Sequence, residues 1–183
     1  PSGVITHAAM EALRDLRIEE GLTVGEIERV RVALDDAASE MLHHERPEDA
    51  LQAKFSIEFC LAAVLRERDP GVHEFSDDYV TSEATRDAIA KVERAFEPNI
   101  FGGEYAGYGA KVTVETTDGE EFYAEMRQAP GSPSNPVSEE RLRGKFVENV
   151  AARTSEDHAE ALADAVAGID EEGGLERLLD ELA

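Results

Sequence analysis

The sequence predicts an α+β fold, a small and mainly antiparallel sheet of three or four strands covered by helices. Three observations carry that expectation. Residues 51–66 place Phe55, Ile57, Phe59, Leu61, Val64 and Leu65 around most of a helical circumference, as in a helix buried on more than one side. Val112 and Val114, then Phe122, Ala124 and Met126, alternate with polar residues on either side of Asp118-Gly119, the pattern of a hairpin. The strands are short, so helices must hide one face of the sheet.

The elements follow in order. Residues 6–20 repeat apolar positions at helical spacing through Ala9, Met10, Leu13 and Leu16. Thr6 is placed to cap that helix and Gly21 to end it. Ile27, Val30, Val32 and Leu34 suggest a strand, although residues 28–31 break strict alternation. Pro47, Glu48 and Asp49 introduce the central core helix, which should stop before Asp69-Pro70-Gly71. Residues 76–91 are polar and helical, and 92–96 form a short strand. Residues 98–109, with Gly102, Gly103, Gly107 and Gly109, read as a glycine-rich loop. It lacks the strand–glycine–helix setting of a dinucleotide site. In its hairpin turn, Asp118-Gly119 is expected to supply positive φ angles. A loop with three prolines spans 130–136. Ser138 then caps a helix to about Val150, and two more helices cover about 156–169 and 175–182.

Composition narrows the function classes. The chain has 183 residues, enough for one well-cored domain with a small helical appendage, and 42% are hydrophobic. Its 41 acidic residues face 18 basic ones, for a formal charge of −23. Lys54, Lys91, Lys111 and Lys145 are the only lysines. Self-repulsion of this size is relieved when molar salt shortens the screening length to about 3 Å. The expectation is a halophilic, cytoplasmic protein. No basic stripe exists to neutralise nucleic-acid phosphates or an anionic membrane. No apolar run approaches the ~20 residues of a membrane span. The first residues lack the pattern of a signal peptide and begin without Met, which reads as a processed or excised piece. Cys60 is the one cysteine; it sits in an apolar stretch and reads as a small buried residue rather than a nucleophile.

Three stretches together resemble the MmgE/PrpD family, which includes 2-methylcitrate dehydratase and cis-aconitate decarboxylase. Pro1-Ser2-Gly3-Val4-Ile5-Thr6-His7-Ala8-Ala9 is similar to the family's Pro-x-x-x-x-Thr-His segment opening a helix. Gln52-Ala53-Lys54-Phe55-Ser56-Ile57 resembles its Ala-Lys/Gln-Phe-Ser run entering a buried helix. Gly131-Ser132-Pro133-Ser134-Asn135-Pro136-Val137-Ser138, with Leu142 and Lys145-Phe146, is similar to its Gly-x-Pro-x-Asn-Pro loop and following helix. The resemblance implies a C-terminal α+β lid domain over 1–183, with 155–183 a helical extension of it. It further implies an N-terminal all-helical domain of the same protein, outside this chain, that holds most catalytic residues. The implied activity is that of a lyase acting on a small polycarboxylate without metal or organic cofactor, commonly as a homodimer. The isolated chain is then expected to be inactive. The competing reading is a non-catalytic binding or dimerisation module that keeps the lid fold.

His7 is the leading catalytic candidate. It lies in the first turn of a helix, where the positive dipole end disfavours imidazolium, and it matches the family's lid histidine. A neutral imidazole there can donate to substrate or take part in proton transfer. Thr6 is a cap, a substrate contact, or both. Lys54 and Ser56 are candidate substrate-binding residues, because a polycarboxylate approaching so acidic a chain needs local positive charge or oriented donors. Lys54 is expected to begin the core helix. The alternative is that Phe55 and Phe59 carry this segment by packing while Lys54 is solvated. Asn135-Pro136 reads as a structural fixture of its loop. His43-His44-Glu45 invites a metal reading, but adjacent histidines are expected to point apart and no third ligand is suitably spaced. Tyr105 and Tyr108 are possible lid or interface contacts.

Overall fold

A computed structural model of the chain describes residues 1–102 and 108–182. Gly103, Tyr105 and Gly107 of the glycine-rich loop therefore lie outside the described residues. Two compact units are present, residues 1–136 and 137–183.

In the first unit, helix α1 (His7–Glu19) follows directly from a 3-10 turn over Val4–Thr6. Gly21 ends it at φ +69, and the Leu22 N–H reaches back to the Arg17 carbonyl at 3.0 Å, the long bond of a left-handed helix terminus. Strand β1 (Ile27–Asp35) comes next. Its broken alternation has a physical cause: the register shifts between Ile27 and Arg29. Ile27 and Val30 are an odd number of residues apart, and such an irregularity lets both face the core.

The predicted helix over 51–66 is two helices, α2 (Ala50–Ala53) and α3 (Ile57–Glu67). Ser56 interrupts them in an extended conformation, and its hydroxyl accepts the Phe59 N–H at 3.1 Å. All nine residues from Ile57 to Leu65 are buried, so α3 is the core helix the sequence predicts. The polar stretch that follows is likewise split, into α4 (Asp77–Thr81) and α5 (Glu83–Ile89), by a second serine cap at Ser82.

Strands β2 (Val92–Glu97), β3 (Ala110–Thr116) and β4 (Glu121–Met126) complete a four-stranded sheet of order β2-β1-β3-β4. The β1–β2 pair is parallel; β1–β3 and β3–β4 are antiparallel. The fold is thus α+β, with a mixed and mainly antiparallel sheet. In the hairpin turn only Gly119 has a positive φ, +90, and its N–H bonds the Thr116 carbonyl at 3.0 Å. Asp118 keeps a negative φ and instead takes a hydrogen bond from the Thr116 hydroxyl.

One face of the sheet is apolar. Val30, Val32 and Leu34 of β1, with Val112 and Val114 of β3, pack in one cluster with Ala9, Leu13 and Leu16 of α1 and with Ile57, Leu61 and Leu65 of α3. Full burial of each large side chain contributes about 1.5–3 kcal/mol. The opposite face of α3 closes a second cluster, with Phe59 edge-on to Phe75 and packed with Val80 and Ile89. On the outer side of the sheet, ion pairs tie the strands, including Arg29–Glu93 at 3.2 Å and Arg31–Glu115 at 2.7 Å.

The second unit holds α6 (Glu139–Ala151), α7 (Glu156–Ala167) and α8 (Gly174–Glu181). Arg143 of α6 reaches Glu160 and Asp164 of α7 at 2.5 and 2.7 Å. The α7–α8 turn requires its glycine: a Cβ on Gly174 would sit 2.2 Å from the Gly168 carbonyl oxygen. Among the described residues, no helix is long and apolar enough to cross a membrane.

Candidate functional site

The chain ahead of α1 and the chain ahead of α3 lie side by side. The Gly3 N–H donates to the Lys54 carbonyl at 3.0 Å, joining the Thr-His segment to the Lys-Phe-Ser segment by a backbone bond. Sequence reasoning placed candidates on both segments, and the fold brings them together.

His7 is the first residue of α1 and is half-buried. Its Nε2 lies 3.2 Å from the Ser2 carbonyl oxygen. A carbonyl only accepts, so this contact requires the proton on Nε2. In the neutral ring Nδ1 is then the basic nitrogen.

Thr6 occupies the N-cap position but makes no capping bond with its side chain. The 3-10 turn already gives it helical dihedrals, and its hydroxyl turns back to Gly3 instead. It lies 2.9 Å from the Gly3 carbonyl oxygen and 2.8 Å from Ser2 Oγ, fully buried. Thr6 therefore fixes the loop whose Ser2 carbonyl holds His7.

Beneath this loop lies Cys60, also fully buried, its sulfur 3.7 Å from the Ala53 carbonyl. Burial pushes the thiol up to about 11, with the Thr6 and Ser2 hydroxyls pulling the other way. A thiol so held stays protonated near neutral pH and packs as a small apolar residue, as the sequence suggests.

Lys54 does not begin the core helix. It is the C-cap of the short α2, because Ser56 restarts the chain as α3. Its side chain is partly buried, and among the described residues it makes no ion pair. Ser56 is fully buried. Besides capping α3, its hydroxyl lies 3.4 Å from Glu58 Oε2.

Glu58 and Arg94 were not singled out from sequence. Glu58 is buried within α3, and Arg94 of β2 meets it with Nε 3.1 Å from Oε1. Arg94 also reaches Glu45 at 2.8 Å and the Leu42 carbonyl at 2.7 Å. Burial raises the Glu58 carboxyl above its ordinary range; its own backbone and Arg94 offset this only in part. The signal was available: Glu58 is the one charge among nine otherwise uncharged residues of a helix that must be buried.

The third matched stretch closes on itself. Asn135 Nδ2 donates to the Gln128 carbonyl at 2.9 Å, and the Gly131 N–H to the Asn135 carbonyl at 2.8 Å. These bonds give Asn135 its structural role. His43 and His44 do not point apart: their rings lie 4.2 Å apart at 44°. Among the described residues, no group of three or more His, Cys, Asp or Glu is arranged to hold a metal ion. Tyr108 is exposed, and Tyr105 lies outside the described residues.

Comparison with known proteins adds one finding. The family model described as the MmgE/PrpD C-terminal domain matches residues 1–171. No curated protein matches the chain.

Proposed function

The chain belongs to the MmgE/PrpD family, as a C-terminal domain of it, and on that premise we propose that it is the lid of a cofactor-independent lyase. The proposed enzyme resembles 2-methylcitrate dehydratase and acts on a small polycarboxylic acid. The observation that carries this reading is the half-buried His7, with Nε2 tied to the Ser2 carbonyl and the Lys54 segment bonded alongside.

Dehydration of a hydroxy acid removes a proton α to a carboxylate and protonates the departing hydroxyl. His7 accepts a proton from substrate or orients its hydroxyl. Lys54, which has no carboxylate partner among the described residues, draws a substrate carboxylate to a chain of charge −23. The buried Thr6 and Ser56 act on substrate through the shape they give the two segments. The remaining groups come from an N-terminal helical domain of the same protein, and the working enzyme is a cytoplasmic homodimer.

The test is turnover of 2-methylcitrate, citrate and cis-aconitate in molar KCl by the chain together with that helical domain. His7→Ala should lower turnover at least about tenfold while leaving the circular dichroism spectrum unchanged. Wild-type turnover in the folded variant removes His7 from the site. Absence of turnover with every acid removes the lyase reading.

The same acidity supports a salt-rich cytoplasm as the native setting. Secondary structure should weaken in low salt and return in molar KCl. A melting curve indifferent to KCl would contradict it.

A further inference from the structure

We propose that Arg46 and Arg86 form a binding site for a small multivalent oxyanion, a carboxylate or a phosphate. The two side chains line one cavity of about 350 Å³, together with Asp87, Ile89 and Ala90. Arg86, Asp87 and Ile89 come from α5 and Ala90 caps it; Arg46 comes from the segment just before Pro47.

The charge setting makes the pair unusual. In a chain with 41 acidic residues, an arginine is expected to meet a carboxylate. Arg14, Arg29, Arg31, Arg66 and Arg94 of the same unit do so. Arg17 bonds backbone carbonyls instead, and Arg68 meets no carboxylate among the described residues but lines no cavity with a second arginine. Among the described residues, neither Arg46 nor Arg86 has an ion-pair or hydrogen-bond partner for its guanidinium. Two unmatched guanidiniums on one cavity make a local positive site on a strongly negative molecule. Such a site attracts an anion in preference to the surrounding surface.

Two planar donor forks also select the kind of anion. They match the oxygens of a carboxylate or phosphate in pairs, whereas chloride offers no such geometry. A cavity of this size accepts a molecule of a few carbons beside the apolar Ile89. Asp87 lines the same cavity and repels an anion from its side, so the ligand's charge is held toward the arginines. The site shares no residue with His7 and Lys54, and it stands independently of the lyase reading.

Titration calorimetry of the protein with citrate and with inorganic phosphate, at constant ionic strength, tests the proposal. The variants are Arg46→Gln, Arg86→Gln and the pair, each checked for folding by circular dichroism. The expected result is saturable binding of at least one probe, weakened about tenfold or more by each substitution. Citrate alone binding assigns a carboxylate site; phosphate alone assigns a phosphate site; both assign a general oxyanion site. Binding of neither probe, or binding undiminished in the double variant, overturns the proposal.

Discussion

Helices α3 and α6 are opened by the same device and live in opposite surroundings. Ser56 accepts the Phe59 N–H at 3.1 Å, and Ser138 accepts the Arg141 N–H at 3.2 Å. An acidic residue follows in the first turn of each. Yet α3 buries nine consecutive residues, and α6 has no fully buried residue in thirteen. The local start signal is the same in both; what differs is the source of stability. Helix α3 is held by apolar contact on two faces. Helix α6 packs beside α7 through partly buried residues such as Phe146 and Val150, and adds its cap and the reach of Arg143 to Glu160 and Asp164.

The comparison can be broken most forcefully in the core. Leu61→Ala in α3, where the side chain is fully buried, should cost about 2–5 kcal/mol in a urea melt. Leu142→Ala in α6, at 60% exposure, should stay within about 0.5 kcal/mol. Equal losses would show that Leu142 is packed as closely as Leu61.

Substituting the two caps sharpens the contrast. Ser56→Ala should cost about 2 kcal/mol of global stability, since it also leaves the buried Phe59 N–H without its acceptor. Ser138→Ala should cost about 0.5–1 kcal/mol, seen as faster hydrogen exchange confined to α6. Matching global losses would contradict the different roles assigned to the two helices.

The smallest effect belongs to the charge buried in α3. Glu58 is raised by burial from an ordinary value of 4.5, despite the Arg94 partner. Its contribution to stability is therefore fully present below the ordinary carboxylate range and is lost as pH rises through the raised folded value. Wild type should lose stability relative to Glu58→Gln across that window. Thermal midpoints of the two proteins that stay parallel from pH 4 to 7 would rule this out.

Periodicity made the fold legible where burial is continuous. The core helix, the hairpin and the serine-capped α6 all follow from local pattern. The break at Ser56 was hidden because the apolar residues Phe55 and Ile57 flank it, so the pattern runs through while the serine cap divides the helix. That hidden break moved Lys54 from a helix start to a helix end. The site was partly legible for a similar reason. His7 and Lys54 could be named from their segments, but the Gly3–Lys54 bond that joins those segments is a tertiary event. Thr6 looked like a cap because threonine before a helix usually is one; only the preceding 3-10 turn redirects its hydroxyl. The Glu58–Arg94 pair spans α3 and β2, a distance in sequence that no spacing rule covers.

Strand β1 lies at the centre of the sheet, yet both strands that pair with it come later in the chain. On the ribosome, the most apolar strand emerges first and waits for its neighbours. At about 5–20 residues per second, Val30, Val32 and Leu34 wait roughly 4–16 s for their full set of strand partners, until β3 has been made. Until α3 has been made, α1 is the one helix of the eventual core cluster that precedes them and can cover them. Its alanine-lined face, Ala8, Ala9 and Ala12, thus serves as an early shield against association between nascent chains.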